Sequence, residues 1–287
     1  MEAQGWMMLK VLLNKYSKVP ADILLKKMPQ EDAQLVLSQD IQSKDITPAI
    51  TEPSKIIAKI HYSWMPPFIE QFPESLQGPL LNALPSSQAS GLARLMKKNR
   101  DSKQLSEPVK HFLIRQLYDK LDDKQILPIP YLPLSSLNVL AEMSKEELVQ
   151  MIDFLALQDL AEAIRSIVDK KKLKSLYLWL SPKEQQYLKT CLNQKDKLPL
   201  TKIELGNWEN NKDKLKLLLH RRGLVRFAKV LSGQHPDLLW HIIHILDTGR
   251  AAVINKQYTK ESIPGVTPTL IQQLTNLMNF LKQKSES

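Results

Sequence analysis

Apolar residues recur at intervals of three and four along most of the chain. Residues 148–167 and 238–246 show this spacing most clearly, as expected for helices with one buried face. Runs of alternating β-branched residues, which are typical of half-buried strands, are almost absent. Ser144 and Glu147 have the spacing of a capping box at a helix start. The pattern predicts an all-α protein.

Three segments share a helix–turn–helix pattern, over residues 23–37, 79–96 and 176–192. Each contains an apolar helix end, a turn marked by proline, and a second helix with small or apolar residues at helical spacing. Units of this kind stack on their neighbours and form extended surfaces. The alternative is that proline turns produce such a likeness in any helical protein. We predict stacked helix–turn–helix units in two or more subdomains, with an armadillo-like architecture.

Polar or proline-rich segments interrupt the helical pattern at residues 42–53, 122–135 and 259–268. Prolines restrict their own backbone and that of the preceding residue, so these segments are expected to be extended. The interruptions predict four parts of the chain: an N-terminal helical unit (residues 1–45), a middle helical unit (54–122), a basic C-terminal helical domain (136–258), and a terminal helix with a tail (267–287).

The net charge of +10 comes from one region of the chain. Residues 165–226 hold 16 Lys or Arg against 6 Asp or Glu, and the remainder is neutral. The densest cations are Lys170, Lys171, Lys172, Lys174, Arg221, Arg222 and Arg226. We predict a continuous basic face between Arg165 and Arg226 that attracts an acidic protein. The alternatives are a contact with nucleic acid or anionic lipid, and solvated helix ends, where cations offset the helix dipole.

No pattern of catalytic or cofactor-binding residues is found. The 8 glycines are scattered, so neither a phosphate-binding loop nor a dinucleotide fingerprint is present. We therefore expect no enzyme activity and no cofactor. Cys191 is the only cysteine and is interpreted as an inert core residue. His235, His241 and His244 cluster, but His241 and His244 are assigned to the solvent face of their helix, and we predict no metal site.

Residues 59–72 have the most unusual composition of the chain. Trp64, Phe68 and Phe72 fall four residues apart, which would place three rings on one helical side. The prolines at 66 and 67 would end one helix and open the next. We interpret this segment as a core corner, with Trp64 buried and its N–H hydrogen-bonded. Partner docking is the alternative, and the candidate interaction residues are His61, Ser63, Trp64 and Phe68.

The same segment carries a family resemblance. Residues 61–64 (His-Tyr-Ser-Trp), together with residues 68–72, 80–85 and 89–96, resemble the His-x-Ser-Trp region of the SctK family. These are accessory proteins of the type III secretion sorting platform. The stretch is also similar to the middle part of the flagellar switch protein FliG, but Ser63 and Trp64 depart from the FliG version. The resemblance implies a FliG-like helical architecture.

The resemblance also implies a function and a set of partners. The protein would be a non-enzymatic bacterial adaptor that links the membrane-ring base of a type III secretion system to the sorting platform and the ATPase assembly. Its partners would be an SctD-like ring cytoplasmic domain and SctQ-like and SctL-like components. No stretch has the ~18 uncharged apolar residues of a membrane span, so we expect a cytoplasmic protein peripheral to the inner-membrane base. The alternatives are a flagellar-type or other helical scaffold and a basic nucleic-acid-binding protein.

Overall fold

The computed structural model describes residues 3–39, 53–98, 104–121, 126–165, 167, 169–193 and 211–283. The described residues form α-helices and short 3₁₀ turns without a strand, so the prediction of an all-α protein is confirmed. The helices are α1 (Ala3–Tyr16), α2 (Ala21–Leu25), α3 (Gln30–Leu37), α4 (Pro53–Lys59), α5 (Pro66–Ile69), α6 (Glu74–Ala83), α7 (Ser86–Met96), α8 (Glu107–Leu121), α9 (Lys145–Ile164), α10 (Lys170–Trp179), α11 (Pro182–Asn193), α12 (Lys212–Leu231), α13 (Pro236–Ile245), α14 (Thr248–Gln257) and α15 (Thr267–Gln283).

The chain divides into two compact units, each of which is discontinuous in sequence. Unit 1 consists of residues 1–142 and 235–248, and unit 2 consists of residues 143–234 and 249–287. This division cuts across the four predicted parts, because α13 packs on the 3₁₀ turn Asn138–Glu142 in unit 1, whereas α15 packs on α9 and α12 in unit 2. The predicted boundaries followed local breaks, which carry no information about contacts between distant segments.

Unit 1 has its main core around α8. Helices α4, α5 and α6 pack against α8, and α6 also contacts α7. Ile57, Leu80, Leu92 and Leu117 are fully buried there. The side chain of Gln88 on α7 donates hydrogen bonds to the carbonyl oxygens of Ile57 and Ile60 at the C-terminal end of α4, where backbone carbonyls run out of i+4 partners. Helix α7 therefore contributes both to the apolar core and to the capping of α4.

The three predicted helix–turn–helix segments each contain a pair of helices. The pairs are α2 with α3, α6 with α7, and α10 with α11. Pro29 and Pro85 immediately precede the second helix of their pair, and Pro182 is its first residue. These are positions at which the missing N–H of proline costs the helix no hydrogen bond. The stacked, armadillo-like arrangement of such pairs remains a prediction.

Unit 2 is built around α9. This helix buries 13 of its 20 residues and packs against α11, α12 and α15. The predicted capping box is present, with the Glu147 N–H donating to Ser144 Oγ at 3.2 Å and the Ser144 N–H donating to the Glu147 carboxylate at 2.8 Å. Helices α9 and α12 approach very closely at Gly223, where a Cβ atom would lie 2.0 Å from the carbonyl oxygen of Ile152. Only glycine fits at this position.

Rings and a thiol fill the side of unit 2 where α9, α11 and α15 meet. The centroid of the Tyr187 ring lies 5.6 Å from that of Phe154 and 5.1 Å from that of Phe280. Cys191 lies one helical turn from Tyr187 and is 3% exposed. Its burial raises the pKa of the thiol to about 12, which suppresses the reactive thiolate. The interpretation of Cys191 as a core residue is therefore confirmed.

Candidate functional site

The His-x-Ser-Trp segment forms a tight corner between α4 and α5. His61 has an extended backbone, and Tyr62–Trp64 then form one 3₁₀ turn. The Ser63 N–H donates to His61 Nδ1 at 3.3 Å, and Ser63 Oγ lies 2.9 Å from the same nitrogen. Because Nδ1 accepts these bonds, the neutral imidazole carries its proton on Nε2. Helix α5 begins at Pro66, so a proline does open the next helix as predicted.

This corner is hydrogen-bonded to residues 244–248, at the junction between α13 and α14. The His61 N–H donates to the His244 carbonyl at 2.7 Å. The Trp64 indole N–H donates to the Leu246 carbonyl at 2.9 Å, and the Thr248 N–H donates to Ser63 Oγ at 3.1 Å. The end of one helix and the start of the next carry backbone groups without intrahelical partners, and these three bonds satisfy them. We call this arrangement the His-x-Ser-Trp clamp.

An aromatic stack completes the His-x-Ser-Trp clamp. The His244 ring lies between Trp64 and Trp240, with centroid distances of 4.3 Å and 4.1 Å. His244 Nδ1 lies 2.8 Å from the Trp240 carbonyl oxygen. Burial disfavours the charged imidazole and lowers the pKa of His244 to about 4. The clamp therefore contains a neutral histidine at physiological pH.

The assignment of His241 and His244 to a solvent face is wrong. Both are buried, at 8% and 9% exposure. Helix α13 is apolar on nearly all sides, so it has no solvent face wide enough for two imidazoles. His241 Nε2 lies 2.8 Å from the Leu127 carbonyl oxygen, and His235 accepts from the Asp237 N–H at the helix start. Within the described ranges, no group of three or more His, Cys, Asp or Glu side chains is arranged to hold a metal ion.

The prediction that Trp64, Phe68 and Phe72 lie on one helical side is wrong. Trp64 belongs to the 3₁₀ turn, Phe68 to α5, and Phe72 follows the end of α5. The two prolines and the short α5 break the helical register between them. All three rings nevertheless contact the unit 1 core, with Phe72 buried and Trp64 and Phe68 partly buried. The segment forms a corner that packs on the core, as predicted. The four-residue spacing of the rings, however, predicted a single helical side that the structure does not have.

The predicted basic clusters in unit 2 do not form one continuous face. Arg226 is 2% exposed, and its Nε donates to Asp159 on α9 at 2.8 Å while Nη1 donates to Gln273 on α15 at 2.9 Å. Arg221 is exposed and Arg222 is half-buried. Because a helix turns about 100° per residue, Arg226 falls on the side of α12 that faces α9. A continuous basic face that includes Arg226 is therefore contradicted.

The remaining cations are not placed where a helix would favour them. Lys170, Lys171 and Lys174 are exposed in the first turns of α10, and Arg221 lies in the middle of α12. The side chain of Lys172 and residues 194–210 lie outside the described part of the chain. Cations offset the dipole at the C-terminal end of a helix and oppose it at the N-terminal end. The hypothesis of helix-end compensation is thus wrong for these clusters.

Unit 2 also contains a cavity that sequence patterns did not indicate. It has a volume of about 370 Å³ and is lined by residues of α9, α10, α11, α12 and α14. On its wall, His220 Nδ1 lies 2.6 Å from Asp153 Oδ1, and Arg250 Nε donates to His220 Nε2 at 2.9 Å. Since Arg250 occupies the basic nitrogen, His220 is not positioned as a general base. These three residues are separated by 67 and 30 positions, and no local motif could have identified them.

Comparison of the chain with protein-family models, with curated proteins and with solved structures finds no match. In the described ranges, none of the helices combines the length and the apolar character that crossing a membrane requires.

Proposed function

We propose that this protein is a non-enzymatic adaptor of a bacterial type III secretion system, which links the membrane-ring base to the sorting platform and the ATPase assembly. The resemblance to the SctK family extends over residues 61–96 and begins with His-Tyr-Ser-Trp at residues 61–64. These first four residues form the His-x-Ser-Trp clamp, and the whole resembling stretch belongs to unit 1. The proposal places the adaptor in the cytoplasm, peripheral to the inner-membrane base.

The observation that carries the proposal is the difference in charge between the two units. Unit 1 holds 17 Lys or Arg and 17 Asp or Glu, whereas unit 2 holds 23 Lys or Arg and 13 Asp or Glu. The whole net charge of +10 therefore belongs to unit 2. An adaptor needs two surfaces with different chemistry, and a neutral unit joined to a basic unit provides them. Electrostatic complementarity of this kind sets the rate and specificity of association.

In this proposal, unit 2 contacts an acidic partner through cations that its own helices do not require. Lys170, Lys171, Lys174 and Arg221 are the exposed members of the predicted basic clusters. Reversing these four to Glu removes attraction without opening a core. We expect slower association with the acidic partner and a weaker dependence of the rate on salt. Reversing the buried Arg226 would instead test the stability of unit 2.

The experiment is affinity purification of the tagged full chain from its native source, followed by identification of the co-purifying proteins. The proposal predicts an SctD-like ring protein together with SctQ-like and SctL-like components. Loss of the SctQ-like or SctL-like component from the four-residue reversal variant, with an unchanged melting temperature, would support the role given to unit 2. Flagellar components in their place would favour the flagellar-type scaffold, and the absence of any secretion component would contradict the proposal.

A nucleic-acid-binding function is the second candidate, and the excess positive charge of unit 2 is the observation that favours it. Binding of this kind weakens steeply with salt because cations on the protein release counterions from phosphates. A gel shift with duplex and single-stranded DNA at low and at moderate salt tests it. A band that is shifted at low salt and weakens steeply at moderate salt would favour this candidate over the adaptor, and the absence of a shift at low salt would contradict it.

A further inference from the structure

The cavity in unit 2 has an apolar floor and a charged rim. Leu157, Leu180, Leu215 and Leu219 form the floor and are at most 7% exposed. Leu217, which is 53% exposed, stands at the rim. The volume of about 370 Å³ falls near the lower end of the ~300–1,000 Å³ range of protein ligand sites. We call this cavity and its rim the α12 groove.

The acidic residues that line the α12 groove already have partners within unit 2. Asp153 is paired with His220, and the Glu184 carboxylate accepts the Ser181 N–H at 2.6 Å. These hydrogen bonds hold the two carboxylates in place, and the lining as a whole carries three cations (Arg250, Lys212 and Lys216) against these two anions. Lys212 and Lys216, by contrast, are exposed at the rim. The rim thus presents positive charge, in a unit whose net charge is +10.

The positions of Lys212 and Lys216 oppose helix stability. They lie four residues apart in the first two turns of α12, so the two charges repel each other. They also face the positive end of the helix dipole. Each effect costs a few tenths of a kcal/mol. Folding of α12 therefore does not account for this pair, whereas an anionic ligand across the rim would.

We propose that the α12 groove binds an acidic amphipathic helix of a partner protein. An apolar side chain of that helix enters the cavity, and two carboxylates pair with Lys212 and Lys216. The spacing favours a helical partner, because side chains four residues apart on one helix have Cβ atoms ~5–6 Å apart, which matches a lysine pair with the same spacing. The inference rests on the proposed adaptor function and specifies the partner chemistry of unit 2.

The test is a selection of random helical peptides, displayed on phage, against the immobilised full chain. We expect the enriched peptides to carry Glu or Asp at i and i+4 beside a large apolar residue. In solution, the double variant Lys212→Glu/Lys216→Glu should bind them about tenfold more weakly or worse, because attraction becomes repulsion. Leu217→Ser should also weaken binding, since it removes the apolar rim.

The matched control is the double variant Lys256→Glu/Lys260→Glu. It makes the same change in net charge at two exposed lysines of unit 2 that do not line the cavity. We expect it to weaken binding less than about threefold, the remaining effect of long-range attraction. The melting temperatures of all variants should stay within about 3 °C of the wild type, because the substituted side chains are exposed and contribute only small dipole and charge effects.

Several outcomes would overturn the inference. These are the absence of enrichment over an uncoated surface, a neutral or basic consensus, and equal losses in the two double variants. A 20-base-pair DNA duplex that displaces the peptides and itself loses binding in Lys212→Glu/Lys216→Glu would assign the rim to phosphates instead. If secretion components still co-purify with Lys212→Glu/Lys216→Glu, the adaptor proposal stands and the assignment of the α12 groove as a partner site is wrong. If none co-purifies with the wild type, the adaptor proposal fails independently of the peptide result.

Discussion

Replacement of Trp64 tests whether the His-x-Ser-Trp clamp holds unit 1 together. Trp64→Phe keeps a ring against the core but removes the N–H that donates to the Leu246 carbonyl. A carbonyl deprived of its partner at a helix end costs about 1–2 kcal/mol. Trp64→Ala also removes the contact with the His244 ring. We expect it to cost about 3 kcal/mol, the lower end of the range for buried aromatic residues, because Trp64 is only partly buried.

The assay is urea unfolding of the full chain, followed by far-ultraviolet circular dichroism. Hydrogen exchange adds a local measurement, because the amide protons of His61 and Thr248 are donated within the clamp. Their exchange should accelerate in Trp64→Phe even if global unfolding changes little. Phe112→Ala is the matched control in unit 1, since the Phe112 ring is 61% exposed and its loss should cost less than about 0.5 kcal/mol.

One pattern of results would refute the clamp interpretation. If Trp64→Ala unfolds at the same urea concentration as the wild type while partner binding collapses, the ring acts as a docking anchor of the kind found in interface hot spots. The order of effects also matters. A loss for Trp64→Phe equal to that for Trp64→Ala would mean that the hydrogen bond dominates and that the ring contributes no packing.

Three further perturbations test the core of unit 2 and the clamp. Gly223→Ala should destabilise unit 2 by about 3 kcal/mol or more in urea unfolding, because the added Cβ would collide with the backbone of α9. Gly265→Ala is the control: φ is +71° there and no atom lies near, so the substitution should cost only about 1–2 kcal/mol. Arg226→Met should cost about 3–5 kcal/mol by leaving Asp159 buried without its partner, and the double variant with Asp159→Leu should recover most of that loss. Since the folded-state pKa of His244 is lowered to about 4, the unfolded chain binds more protons than the folded chain below pH 6.5, and stability falls as the pH falls. Between pH 7 and 5 this loss should amount to about 2 kcal/mol in urea titrations, and His244→Gln should remove it.

Features set by local interactions could be predicted from the sequence. The capping box at Ser144 and Glu147 depends on residues three positions apart, and both of its hydrogen bonds are present. Pro66 and Pro182 begin helices because the fixed φ of proline suits the first helical turn, where its missing N–H costs no hydrogen bond. The all-α character follows equally from spacing and composition. In each case, the residues that determine the structure lie within one or two turns of each other.

Features set by distant contacts could not be predicted in this way. Trp64 and Leu246 are 182 positions apart, so no local pattern indicated that α13 would join unit 1. Arg226 lies in a segment rich in exposed cations, and only the packing of α12 on α9 decides that it points inward. The environment of His220 likewise depends on Asp153 and Arg250. No pattern in the sequence indicates that His220, Asp153 and Arg250 lie in contact.

The two sets of candidate residues should respond differently to mutation, and the reason is their position in the fold. Trp64 and its neighbours satisfy backbone groups of unit 1, so their replacement should lower stability and partner binding together. Lys212 and Lys216 oppose the stability of their own helix. Their replacement should therefore weaken binding while stability stays constant or rises slightly. Loss of binding at constant melting temperature in the lysine variants, together with parallel losses in the Trp64 variants, would separate the residues that stabilise the fold from those that contact a partner.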